Sequence, residues 1–121
     1  MKCKILVVED NADIRKMLRI SLADCGEILE AENGASALTI IQNMRPGIVL
    51  LDVKIQGLMN GFEVLEVIKS THAMRNVVVI MITACGQEVD REKGMDLGAD
   101  AYLIKPFSPR RLIDTVREFV N

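Results

Sequence analysis

Apolar residues along the chain alternate between two spacings. Some form short unbroken runs, and others return every third or fourth position over longer stretches. The first spacing predicts strands covered on both faces, and the second predicts amphipathic helices. The most sharply bounded run, Ile48-Val49-Leu50-Leu51, follows Pro46-Gly47 and ends on Asp52. Two other runs also end in charge: Ile5-Leu6-Val7-Val8 before Glu9-Asp10, and Ala101-Tyr102-Leu103-Ile104 before Lys105-Pro106.

Taken in order, residues 3–8 predict a first strand. Asn11 or Asp13 can cap the following helix, whose apolar face is Ile14, Met17, Leu18 and Leu22, with Arg15, Lys16 and Arg19 opposite. Asp24-Cys25-Gly26 stops it. The more polar residues 27–31 fit an edge strand, and Asn33-Gly34 turns the chain into a helix over 35–44 with Ala37, Leu38, Ile41 and Met44 on its inner stripe. After Asp52 a Gly-containing loop (56–61) leads to a helix over 62–70. It has Phe62, Leu65, Val67 and Ile68 apolar, and Glu63, Glu66 and Lys69 outward. Residues 76–82 are the most β-prone run, ending at Thr83-Ala84. The helix expected over 87–97 has the weakest apolar stripe and so the least packing to hold it. Ser108-Pro109 opens a final helix with a stripe of Leu112, Ile113, Val116, Phe119 and Val120.

Strands alternating with helices predict a doubly wound α/β domain with a five-stranded parallel sheet and five helices, spanning residues 1–121 as one unit. Composition narrows the function. Fifteen basic and seventeen acidic side chains leave a net charge of −2 without a basic stripe, so no nucleic-acid footprint is expected. Three cysteines without CxxC spacing predict reduced thiols rather than a disulfide framework or a zinc site. No apolar run approaches the length of a membrane span. A cytoplasmic protein, neither exported nor anchored, is the expectation.

In a parallel sheet the carboxyl ends of the strands share one rim, where ligands bind. Glu9, Asp10 and Asp52 would meet there. Three unpaired carboxylates repel one another, and a hard divalent cation such as Mg²⁺ relieves that repulsion while also binding phosphate oxygens. The backbone carbonyl of Lys54 is a reasonable further ligand. Asp52 has no acidic neighbour in sequence, which leaves an oxygen to act as nucleophile toward a phosphoryl group. Lys105 supplies a cation, and Thr83 a hydroxyl, for phosphoryl oxygens. Lone His72 is expected to be a solvated side chain, and the methionines core filler.

The segments Ile5-Leu6-Val7-Val8-Glu9-Asp10-Asn11, Ile48-Val49-Leu50-Leu51-Asp52, Ile80-Met81-Ile82-Thr83-Ala84 and Gly98-Ala99-Asp100-Ala101-Tyr102-Leu103-Ile104-Lys105-Pro106-Phe107 resemble, in order and spacing, the receiver domains of two-component response regulators. The resemblance covers the whole chain. It implies a CheY-like sheet of order 2-1-3-4-5 and a Mg²⁺ site at Glu9, Asp10 and Asp52. Asp52 would accept phosphate from a histidine kinase or histidine phosphotransfer protein, with Lys105 contacting the phosphate. It also implies a switch in which Thr83 moves toward the phosphate and Tyr102 changes rotamer, and a cis bond before Pro106. The surface of the fourth helix, fifth strand and fifth helix would then change its affinity for an output partner, as a monomer or a phosphorylation-dependent dimer. Such a chain is no metabolic enzyme: it catalyses only its own phosphorylation and dephosphorylation.

Two departures from the family pattern stand out. Gln56 replaces the usual proline four residues after the aspartate, and the loop to Gly61-Phe62 carries one extra residue. Lys54 and Cys85 occupy positions that in the family influence phosphoryl lifetime, and this pair predicts slow hydrolysis. Rival functions fit less well. A phosphatase of the haloacid-dehalogenase type needs an Asp where Lys54 stands, and a flavodoxin-like or P-loop binder needs a Gly- or hydroxyl-rich loop where Glu9-Asp10-Asn11-Ala12 is acidic. A phosphorylation-independent protein-binding pseudo-receiver is the remaining alternative.

Overall fold

The computed structural model describes residues 3–84 and 88–120. Five strands, β1 (Lys4–Val8), β2 (Glu27–Ala31), β3 (Ile48–Asp52), β4 (Val78–Ala84) and β5 (Ala101–Lys105), alternate with helices α1 (Ala12–Ser21), α2 (Gly34–Met44), α3 (Gly61–Ser70), α4 (Glu88–Asp96) and α5 (Pro109–Arg117). All strand pairs are parallel, in the order β2-β1-β3-β4-β5. Because side chains alternate across a strand, the central strands feed two cores. Leu6, Val8, Val49 and Leu51 pack with Ala37 and Ile41 of α2 and Val64, Leu65 and Ile68 of α3. Ile5, Val7, Ile48 and Leu50 pack with Leu18 of α1 and its C-cap Leu22, and with Leu112 and Val116 of α5. Both faces of β3 are thus dry, which is why its sequence is an unbroken apolar run.

Local chemistry sets the helix ends. The Asn11 side chain, not that of Asp13, caps α1, accepting from the N–H groups of Asp13 and Ile14 at 2.9 and 3.0 Å. Asn33 caps α2, and Asn60 forms a capping box with Glu63 that starts α3 one residue earlier than the apolar pattern suggested. Ser108 caps α5 ahead of Pro109. Residues 76 and 77 turn into β4 rather than belonging to it. Gln87, the expected start of the fourth helix, and Cys85 lie outside the described residues.

Some inward assignments need correction. Met17 and Met44 are 37% and 39% exposed, so neither fills the core. Met17 lies at the margin of the α1 stripe, and Met44 ends α2 where the chain turns through left-handed Arg45 (φ 49°). In α3 the deeply buried valine is Val64, while Val67 is half-buried. Lys69, expected outward, runs back over the sheet edge and donates to the Val77 carbonyl at 2.8 Å and to Asp100 Oδ2 at 3.2 Å. His72 is exposed, as expected.

The register fixes the functional rim. Val8 pairs with Leu51, Asp52 with Ile82, Thr83 with Ile104 and Ala84 with Lys105, so residues that follow or end four strands emerge at one edge.

Candidate functional site

A cavity of about 230 Å³ at this rim is lined by Glu9, Asp10, Asp52, Lys54, Thr83 and Lys105, among others. These side chains are delivered by the ends of four strands, Glu9 and Asp10 by β1, Asp52 and Lys54 by β3, Thr83 by β4 and Lys105 by β5. Glu9 extends β1 and is held by its own carbonyl, which accepts from Arg15 Nη1 at 2.9 Å, and by the Asn11 N–H, which donates to Oε2 at 3.2 Å. Asp52 ends β3. Gly61 packs so closely against it that a Cβ there would lie 2.3 Å from the Asp52 carbonyl oxygen, so only glycine lets α3 begin at this point. Lys105 ends β5, and its peptide bond to Pro106 is cis.

The charges at the rim are unequal in number. Glu9 and Asp52 are almost fully buried, at 2% and 5% exposure. The Lys105 ammonium donates to Asp52 Oδ2 at 2.6 Å and to Glu9 Oε1 at 3.3 Å. Burial alone would lower the pKa of this lysine, but the hydrogen bond and charge of Asp52, followed by those of Glu9, outweigh it and hold the ammonium above its usual range. Glu9 is pushed up to about 7, first by burial and then by the adjoining carboxylates of Asp10 and Asp52, with the Asn11 N–H opposing. One ammonium therefore serves more negative charge than it can balance.

The site as it stands is closed on itself. Asp52 uses both oxygens, Oδ2 toward Lys105 and Oδ1 toward the Lys54 N–H at 2.8 Å. The sequence leaves one of them free for chemistry; in the structure both are engaged, and each keeps a second lone pair. Asp10 Oδ2 accepts from the Gln56 N–H at 3.2 Å, a bond that a proline at this position could not donate. With the carboxylates so engaged, no three acidic, histidine or cysteine side chains among the described residues already surround one cation position. The donor set nevertheless fits a hard divalent ion. Crowded carboxylate oxygens and a suppressed ionisation at Glu9 are what such an ion would relieve, once Lys105 yields its place.

Thr83 and Tyr102 are not joined to the carboxylates of Glu9, Asp10 and Asp52. Thr83, 3% exposed, donates from Oγ1 to Asp90 Oδ2 at 3.4 Å, and the Tyr102 hydroxyl donates to the Asp90 carbonyl. Burial, reinforced by the Asp90 charge and opposed by Arg91, pushes Tyr102 up to about 12, so it stays a neutral donor. Asp90 and the Gln56 N–H are contacts that sequence patterns did not reveal. A larger depression, about 610 Å³, lies away from the rim between α4, β5 and α5, where Arg91, Met95, Tyr102, Ile104 and Arg111 contribute.

Comparison with known proteins matches residues 5–117 to the family described as response regulator receiver domain. This chain belongs to that family. The receiver is 40% identical to the phosphate regulon transcriptional regulatory protein PhoB of Pseudomonas aeruginosa over 110 residues, 90% of this chain and 48% of that protein. It is also 40% identical to the DNA-binding response regulator MtrA of Mycobacterium leprae, over 97% of this chain and 51% of that protein. It thus spans about half the length of the curated relatives it matches. Among solved structures, the receiver superposes on the chemotaxis protein CheY4 of Vibrio cholerae with a TM-score of 0.90 at 29% identity, covering 99% of this chain and 100% of that one. A response regulator from Chloroflexus aurantiacus gives 0.93 at 28% identity, with 98% of each chain covered. The CheY-like fold and sheet order expected from the sequence are borne out.

Proposed function

We propose that residues 1–121 form one phosphoryl-accepting receiver in which Asp52 is the nucleophile. The observation that carries this reading is the gathering of Glu9, Asp10, Asp52, Thr83 and Lys105 on one cavity from the ends of four strands. An Asp52 carboxylate oxygen attacks the phosphorus of a phosphohistidine on a histidine kinase or histidine phosphotransfer protein. The P–N bond breaks, the electron pair leaves with the imidazole, and an acyl phosphate forms. Lys105 exchanges its contact with Asp52 for one with a phosphoryl oxygen, and the Lys54 N–H holds the other Asp52 oxygen in place. Glu9, Asp10, Asp52 and the Lys54 carbonyl would hold Mg²⁺. When bound, that ion neutralises charge on both the carboxylates and the incoming phosphoryl group.

The product is a switch and not a metabolite. Thr83 turns toward the phosphoryl group, Tyr102 changes rotamer, and the α4/β5/α5 face with its large depression presents a different surface to an output partner, or to a second copy. Among the described residues no helix is long and apolar enough to cross a membrane. The phosphodonor chemistry implies a cytoplasmic location, and neither nucleic acid nor membrane is a partner of this domain itself. Incubation with acetyl phosphate and MgCl₂, read by intact mass, tests the reading. The wild type gains one phosphoryl group and Asp52→Asn gains none. A wild type of unchanged mass would overturn it in favour of a binding-only pseudo-receiver.

A further inference from the structure

Helix α4 has an unusual anchorage. Its large apolar side chains Val89 and Met95 are 75% and 47% exposed, and Gly94 is its one buried residue among those whose side-chain burial is described. Polar and aromatic contacts take the place of a core. Lys93 Nζ lies 4.7 Å from the centre of the Phe62 ring. The Tyr102 ring packs against Gly94, so close that a Cβ there would come within 2.8 Å of its Cε2 and hydroxyl. Two further ties converge on a single residue in the first turn: Thr83 donates to the Asp90 carboxylate, and Tyr102 donates to the Asp90 carbonyl.

A threonine hydroxyl has one proton to donate. While that O–H is directed at Asp90 Oδ2 it is not available to a phosphoryl oxygen at the rim. We propose that Asp90 is a positioning residue that holds the Thr83 hydroxyl away from the phosphoryl site, so that phosphorylation must break this bond and loosen the first turn of α4. The inference rests on the phosphoryl-acceptor reading above and adds to it the group with which the phosphoryl oxygen competes. On phosphorylation the O–H···Oδ2 bond is exchanged for O–H···O–P, and water takes over the Asp90 carboxylate. Thermodynamic reciprocity then requires that removing the Asp90 acceptor favours the phosphorylated state. A plain helix-stabilising role for an acidic first-turn residue would not act through Thr83, and this separates the two explanations.

The experiment is a double-mutant cycle on the full chain, with the phosphorylated fraction at steady state followed by intact mass against acetyl phosphate concentration in MgCl₂. Asp90→Ala is expected to lower the half-maximal concentration roughly two- to tenfold, the range set by loss of one hydrogen bond. Asp90→Asn, which keeps an acceptor oxygen, recovers most of the wild-type value. In a Thr83→Ala background, Asp90→Ala has no further effect. An equal shift in both backgrounds, or none in either, overturns the proposal. Hydrogen exchange supplies a second arm that needs no phosphorylation and no Asp90 variant: Thr83→Ala accelerates exchange of the α4 amides while leaving β3 unchanged, and unaltered α4 exchange overturns the tie. A wild type that takes up no phosphoryl group defeats the phosphoryl-acceptor reading instead, and the exchange result still decides whether Thr83 holds α4.

Discussion

Replacing Glu9 by glutamine removes a charge that the folded chain holds unwillingly. Its carboxyl moves from an ordinary value of 4.5 to about 7 on folding. The Lys105 ammonium opposes this but serves Asp52 first, at 2.6 Å against 3.3 Å. Between those two pH values the folded state binds more protons than the unfolded one. The free energy of unfolding therefore falls as pH rises through the window and levels off above it. Two and a half units correspond to about 3 kcal/mol above pH 7, and the same linkage leaves about 1 kcal/mol at pH 5. Glutamine has nearly the same shape and still offers an oxygen to the Asn11 N–H. In chelator at pH 8, Glu9→Gln is therefore expected to be the more stable protein by up to about 3 kcal/mol, with the advantage shrinking toward zero by about pH 4. The chain has no tryptophan and one tyrosine, so urea unfolding is best followed by far-ultraviolet circular dichroism. Mg²⁺ should narrow the gap at pH 8 by stabilising the wild type more than the variant. A difference independent of pH, or one that widens toward acid, would refute the reasoning.

Other consequences can be checked on the same footing. Lys69→Met removes the donor shared by the Val77 and Arg75 carbonyls and Asp100, and is expected to lower stability by about 1–3 kcal/mol in urea titrations. Gly61→Ala forces a Cβ into the Asp52 carbonyl and Val53 Cα, and should cost about 1–3 kcal/mol or more while slowing phosphorylation by acetyl phosphate, since the displaced backbone carries Asp52. Asn60→Ala breaks the capping box of α3 and should cost about 1 kcal/mol without changing the phosphorylation rate more than marginally. Chelation of divalent cations should abolish phosphoryl uptake from acetyl phosphate, and added Mg²⁺ should restore it.

Why the fold could be read from the sequence, and part of the site could not, follows from which interactions leave a periodic trace. A strand dry on both faces must be apolar at every position, so Ile48 to Leu51 announce themselves, and parallel pairing then puts the residue after each such run on a common rim. Glu9, Asp52 and Lys105 were legible for that reason, since their positions are consequences of strand ends. Periodicity gives the direction of a helix face but not how far along the helix the core extends, hence the exposure of Met17 and Met44. It also treats a lysine as outward-facing by default, although the long aliphatic stem of Lys69 can lie along the sheet edge and deliver its ammonium to Asp100 and the Val77 carbonyl.

The contacts that escaped the sequence are the ones made by backbone groups or by pairs remote along the chain. Gln56 was conspicuous as a missing proline, but what matters in the structure is the N–H that comes with any residue other than proline, aimed at Asp10 across 46 positions. Asp90 reads as an ordinary acid in a polar helix, and only the approach of β4 and β5 shows that the two hydroxyls expected to switch, on Thr83 and Tyr102, are both attached to it. The weak apolar stripe of α4 and the polar anchorage of that helix are therefore one property seen at two levels. A helix without buried apolar side chains is held by whichever polar groups reach it, and here the two hydroxyls among them belong to residues proposed to respond to phosphate. The first turn of an element secured in this way can be loosened by moving a single proton donor, which a helix packed through leucines does not allow.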